Sequence, residues 1–121
     1  MAKKGPYRVY VTYLPDGRYY VGYSGRKGKA WEKYFGSSRI IKEHIENGGK
    51  VIKFVLFETE KKSHALFQEL LLQIQVREDP RHVGEMMNIR LNKKHLAGFT
   101  PVEWKPLSKT TIRRKINARK R

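Results

Sequence analysis

Residues 8–23, RVYVTYLPDGRYYVGY, decide the fold. Val9, Tyr10, Val11, Thr12 and Tyr13 on one side, and Tyr19, Tyr20 and Val21 on the other, are the β-branched and aromatic types that favour strands. Between them Pro15 presets φ at the first turn position, Asp16 tolerates the second, and Gly17 supplies the positive φ of a three-residue bulge-type loop. That loop length pairs Leu14 with Arg18, Thr12 with Tyr20 and Tyr10 with Gly22. Side chains alternate with period two, so Tyr10, Thr12, Tyr20 and Gly22 share one face and Val9, Val11, Tyr19 and Val21 the other. The valine face is expected to be the core. The tyrosine face is left for chemistry or for a covering helix, and Gly22 beside it lets a backbone or a phosphate approach closely. Taken alone, the hairpin favours reading both tyrosines as ordinary sheet aromatics, because Tyr is common in strands.

Working outward, 121 residues make one domain with a modest core and a short appendage. A formal net charge of +16 exceeds what solubility requires and implies a polyanionic partner, nucleic acid first and a membrane surface second. No run of about 18 apolar residues exists to span a bilayer. Residues 1–6, MAKKGP, lack the apolar stretch of a signal peptide, and no cysteine is present to staple a secreted fold, so a cytoplasmic setting is expected. The missing cysteines also exclude thiolate metal sites and thiol nucleophiles. His44, His64, His82 and His95 form no close pair at ligand spacing, which speaks against zinc.

Gly25 to Lys29, GRKGK, is a glycine-rich basic loop, and Ala30 to Phe35, AWEKYF, a short aromatic segment. A helix follows: Ser37 can cap its first turn, Ile40, Ile41 and Ile45 give an apolar stripe, and Asn47-Gly48-Gly49 ends it. Val51 to Phe57, VIKFVLF, reads as a buried third strand. A second helix is expected from a cap near Thr59 to the stop at Asp79-Pro80. Residues 81–99 read as irregular, with Met86-Met87-Asn88-Ile89 a return to the core. The fold class is therefore α+β: a small, mainly antiparallel three-stranded sheet flanked by helices, in the order β-β-α-β-α, with a basic C-terminal tail. The second helix carries Glu69, the one acidic residue between Glu60 and Glu78, within LFQELLL. A charge in such apolar company is costly unless paired or metal-bound. Helical spacing aligns Glu69 with Ala65, Leu72, Gln73 and Val76, a mostly apolar and inward-turned face. The alternative on helix statistics is a solvated glutamate at the polar edge.

A hairpin with VY then YVG, a helix preceded by YFGSS, and a later helix with alanine four residues before a glutamate resemble the GIY-YIG nuclease family. More narrowly, residues 20–41 (YVGYSGRKGKAWEKYFGSSRII) and 65–72 (ALFQELLL) are similar to its phage and intron-encoded homing endonucleases. The resemblance covers residues 7–91 and lies in the ordered combination. It implies that Tyr10 and Tyr20 are the tyrosines of the first and second motifs, Gly22 the glycine closing the second, and Glu69 the metal-binding glutamate. The phosphate-contacting arginine falls on Arg39, with Arg26 as rival, and His44 and Asn88 match ancillary polar positions. Two departures stand out: the first motif reads Arg8-Val9-Tyr10 without its namesake glycine, and the hairpin is one residue shorter than usual.

The resemblance implies a DNA endonuclease, acting as a monomer on double-stranded DNA in the cytoplasm, the host's if phage-encoded. Glu69 would hold one divalent cation, most simply Mg²⁺ with Mn²⁺ as substitute, which keeps several waters and needs few carboxylates. Arg39 would balance charge on the phosphorus, and Tyr10 or Tyr20 would orient or deprotonate the attacking water. A free tyrosine has a pKa of about 10, so a base role requires cations nearby, and Arg8, Arg18, Arg26 and Arg39 are the sources at hand.

Residues 100–121 stand apart from the nuclease-like 1–99 in composition. Lys105, Lys109, Arg113, Arg114, Lys115, Arg119, Lys120 and Arg121 face no acid after Glu103. Ile112 and Ile116 give only a thin stripe, which predicts a segment disordered or marginally helical until it meets phosphate. It also resembles the SxxTxRKI DNA-binding repeats appended to homing endonucleases, here Ser108, Thr111, Arg114, Lys115 and Ile116. The competing class is a small basic RNA- or DNA-binding protein without catalysis, in which Tyr10, Tyr20 and Tyr23 form a stacking platform and Glu69 is structural.

Overall fold

The computed structural model describes residues 6–84 and 93–118. Tyr7–Tyr13 (β1) and Tyr19–Ser24 (β2) form the expected hairpin, with Thr12 opposite Tyr20 and Tyr10 opposite Gly22. Its turn closes through Leu14 N–H to the Arg18 carbonyl at 2.8 Å, and Gly17 takes φ +95° as the loop requires. Gly28–Glu32 (α1), Arg39–Glu46 (α2), Ile52–Thr59 (β3), Lys62–Gln75 (α3), a 3₁₀ turn at Lys93–Leu96 and Lys109–Ala118 (α4) complete the described elements. The class is α+β: an antiparallel sheet of order β2-β1-β3, with helices on both faces. Beyond the expected order, the aromatic segment after β2 folds into the extra helix α1, and the tail adds α4.

β1 is central, and because other segments pack on each side of the sheet both hairpin faces are interior. Val9, Val11, Tyr19 and Val21 pack with Ala65 and Leu72 of α3, with Val76 just past its end, and with Ile112 and Ile116 of α4. On the other side Tyr10, Leu14, Tyr20 and Ile41 form a second cluster, covered by Trp31, Tyr34, Phe35, Val51 and Val83. The tyrosine face is thus a second core, closed by helices as one of the two expectations had it. α1 has no buried residue of its own. It is tied down instead by the Lys53 ammonium, which donates to the Trp31 and Tyr34 carbonyls at 2.6 and 2.8 Å and sits 3.5 Å from the Trp31 ring centre. Burial pulls the Lys53 pKa down to about 8, with Arg8 adding repulsion.

Four expectations are corrected. β3 is not fully buried: it is an edge strand, paired with β1 alone, and only Ile52 is buried while Val55 is 45% exposed. α3 stops at Gln75, ahead of Asp79-Pro80, and its N-cap is Lys61, Thr59 Oγ1 instead accepting from Lys61 N–H. The N-cap of α2 is Ser38, leaving Ser37 free for another partner. The tail is neither disordered nor marginal over 109–118: Ile112 and Ile116 dock into the main core, Ser108 Oγ accepts from Thr111 N–H, and Arg113 Nε donates to the Pro15 carbonyl. Two well-placed isoleucines suffice because Trp104 and Leu107 extend their contact with the sheet. The Met86–Ile89 stretch lies outside the described residues. Among the described residues no helix is long and apolar enough to cross a membrane.

Candidate active site

Glycines set the position of Tyr20. Its ring lies so close to Gly22, Gly36 and Gly84 that an added Cβ at any of the three would come within 2.7 Å of a ring carbon. Gly36 also holds φ +119°, a conformation side chains disfavour. The Tyr20 hydroxyl shares a 3.1 Å hydrogen bond with Ser37 Oγ, and its ring stacks on the His82 imidazole, 6.3 Å between centres and 4° between planes. His82 is held by a parallel bridge to Tyr19 and accepts the Val21 N–H at Nε2, at 3.3 Å. Burial lowers the His82 pKa, which keeps the ring neutral and able to accept. Sequence reasoning missed His82, and no spacing pattern marks it.

Tyr10 is fully buried, 6.4 Å from the Tyr20 ring and edge-on to Trp31 and Tyr34, with its hydroxyl against Gly22. A Cβ at Gly22 would lie 2.5 Å from that hydroxyl, so the glycine serves the tyrosine pair and not an incoming phosphate. Burial raises the pKa of Tyr10, and neighbouring Tyr34, Tyr20 and Glu69 raise it further. Tyr20 also shifts up, chiefly by burial, against the pull of Ser37. The expected cationic field is absent from both. Arg8 turns to Glu58, Arg18 to Asp16, Arg39 to Glu43, and Arg26 lies 3.7 Å over the Tyr34 ring. Neither phenol is a phenolate near neutral pH.

Glu69 points inward, as its helical alignment predicts, and is 2% exposed. Oε1 has no hydrogen-bond partner, and burial pushes its carboxyl pKa up to about 7. The Glu69 charge adds to the upward pKa shifts of Tyr10, Tyr20 and Tyr23, each of which is due first to burial. One turn on, Gln73 reaches the outer edge of β2, where Nε2 donates to the Val21 carbonyl at 3.2 Å. Gln73 Oε1, both amide atoms of Gln68 and Nε2 of His64 are also buried without partners. Among the described residues no three His, Cys, Asp or Glu side chains gather into a metal cluster. The orphaned Glu69 oxygen is a donor of the hard kind that Mg²⁺ or Mn²⁺ takes.

A cleft of about 540 Å³ opens beside Tyr20, lined by Ser37, Ser38, Arg39, Ile40, Val83 and Gly84. Arg39 stands at its rim, its side chain 91% exposed and paired with Glu43 at 2.9 Å. His44 does not line it: its Nε2 bonds the Lys50 carbonyl at 2.9 Å and its ring fills the space over Gly49. Of the tail residues, Lys109 packs on Gly17, Lys115 lies 5.7 Å from the Phe54 ring, and Arg114 is exposed. Asn88 and Arg119 fall outside the described residues. No protein-family model, no curated protein and no solved structure matches this chain.

Proposed function

We propose that this protein is a metal-dependent endonuclease that hydrolyses DNA phosphodiester bonds on a GIY-YIG-like plan. The observation that carries the reading is Glu69: a carboxylate nearly sealed from solvent, with an unpartnered oxygen, within electrostatic reach of two tyrosines packed closely around Gly22. A buried acid left unsatisfied costs several kcal/mol, and a protein of net charge +16 that only bound polyanions would gain nothing from it. The alternative stacking platform needs exposed ring faces. Tyr10 is fully buried and Tyr20 is 7% exposed, so neither offers one, and the half-buried Tyr23 already has one face stacked on Tyr7.

In this reading Glu69 holds the cation, Mg²⁺ or Mn²⁺, which would polarise the scissile phosphate and stabilise the leaving 3′ oxygen. Tyr20, its hydroxyl at the cleft and neutral, orients the attacking water through a hydrogen bond in concert with Ser37. Tyr10 buttresses the Tyr20 ring from behind. Arg39 exchanges its exposed pairing with Glu43, worth less than about 1 kcal/mol, for the phosphate. Arg113 and Arg114 on α4, with Lys109 and Lys115, supply sequence-independent backbone contacts. Incubation of supercoiled plasmid with Mg²⁺ tests this directly. Wild type should nick it, and Glu69→Ala should lose cleavage while retaining DNA affinity; undiminished cleavage by that variant, or none by wild type, removes the proposal.

A further inference from the structure

Three buried side-chain oxygens of α3 have nothing to accept from, Oε1 of Gln68, of Glu69 and of Gln73, and the last two stand one helical turn apart on the same side of the helix. Both residues are at least 98% buried. The Gln73 amide cannot turn to relieve this, because a carbonyl can bond only the NH₂ end, and Nε2 is committed to the Val21 carbonyl. That bond lands on the strand residue between Tyr20 and Gly22 and fixes the amide at the edge of β2, with its oxygen left unpartnered. Side chains four apart on a helix have Cβ atoms about 5–6 Å apart. Two flexible side chains of this length can bring their oxygens to the roughly 3 Å separation that adjacent ligands of an octahedral cation adopt.

We propose that Gln73 supplies a second protein oxygen to the divalent cation held by Glu69. The inference rests on the nuclease reading and assigns that site an amide ligand. Carboxylate and carbonyl oxygens together suit Mg²⁺ and Mn²⁺, and the cation satisfies both orphaned acceptors at once. The Val21 carbonyl acts as the outer partner that fixes the ligand's orientation. A water molecule donating to both oxygens would satisfy them equally well, and the test separates the two.

Mn²⁺ alone is titrated into the full-length protein without DNA, and free ion is followed by its electron paramagnetic resonance signal. Gln73→Met and Gln73→Glu both forfeit the hydrogen bond to Val21, and so share any structural cost of losing it, but only the second offers an oxygen. The expected order of Mn²⁺ affinity is Gln73→Glu above wild type above Gln73→Met, the last weaker by about tenfold. Equal affinity in wild type and Gln73→Met, with binding lost in Glu69→Gln, overturns the Gln73 role and leaves the Glu69 site standing. Wild-type affinity in Glu69→Gln overturns both. If Gln73→Met fails to fold, Gln73→Glu binding no more tightly than wild type is sufficient to refute the inference.

Discussion

Replacing Glu69 by Gln should make the protein more stable above neutrality, and the size of the effect follows from the carboxyl's burial. In the unfolded chain this group titrates near 4.5, and in the folded protein at about 7. Between those values the native state holds a proton that the unfolded state has released, so native stability is greatest below pH 4.5, falls as pH rises, and levels off above 7. A separation of 2.5 units corresponds to roughly 3 kcal/mol, a large share of a small domain's stability. Glutamine keeps the shape and cannot ionise. His82 contributes a slope of opposite sign, since its lowered pKa costs stability as pH falls through its ordinary range. Subtracting variant from wild type cancels that term. Urea unfolding followed by tryptophan fluorescence, at intervals from pH 4.5 to 8.5 in the presence of a chelator, should show the two proteins diverging with pH. The variant should lead by roughly 3 kcal/mol at the alkaline end, equivalent to about 10 °C in Tm. Curves that run parallel across this range would mean that Glu69 is solvated or paired, and the argument for a cation site would fall with it.

Gly22→Ala should destabilise the fold by about 1–3 kcal/mol, since the new methyl meets Tyr10 and Tyr20 and the Tyr20 ring is hemmed in by Gly36 and Gly84. Thermal melts beside the exposed-site control Val55→Ala check this, and a loss no greater than the control's refutes the cradle. Ile112→Ala should cost about 2–4 kcal/mol because the side chain is fully buried in the main core; near-neutral behaviour would show α4 undocked in solution. Neutralising Arg113 and Arg114 together should flatten the logarithmic salt dependence of DNA binding by about 2 units of slope without altering sequence preference, and an unchanged slope excludes α4 from the contact.

The hairpin was legible because its information is local: loop length and one glycine fix the register, and period-two alternation then assigns every side chain to a face. The inward turn of Glu69 was legible for a similar reason, since Ala65, Leu72 and Val76 share its helical face and all three are buried. What escaped notice depends on contacts between distant segments. α4 carries two apolar positions, which propensity alone cannot distinguish from a solvated basic tail; its order comes from Trp104, Leu107 and the sheet. Likewise Arg8, Arg18, Arg26 and Arg39 are countable in sequence, but each satisfies a separate partner, so their charges never combine at the phenols. The edge position of β3 depends on strand order, which an apolar run does not encode.

Tyr10 and Tyr20 began as residues that any sheet might contain, and their surroundings separate them from that description. A sheet aromatic needs apolar neighbours, which shape-tolerant side chains supply. Tyr20 instead has backbone on three sides, from β2, from the segment ahead of α2 and from the segment after His82, each lacking the Cβ that would displace it. Close backbone approach restricts ring motion more than side-chain packing does, because backbone cannot change rotamer. The result is a phenol lining the cleft, its hydroxyl held by one hydrogen bond to Ser37, and within electrostatic reach of a carboxylate that ordinary packing would exclude. Under the proposed nuclease function, a rigid phenol and an unsatisfied buried acid are the parts that would aim an attacking water at phosphorus, and plasmid nicking by wild type against Glu69→Ala decides whether they do.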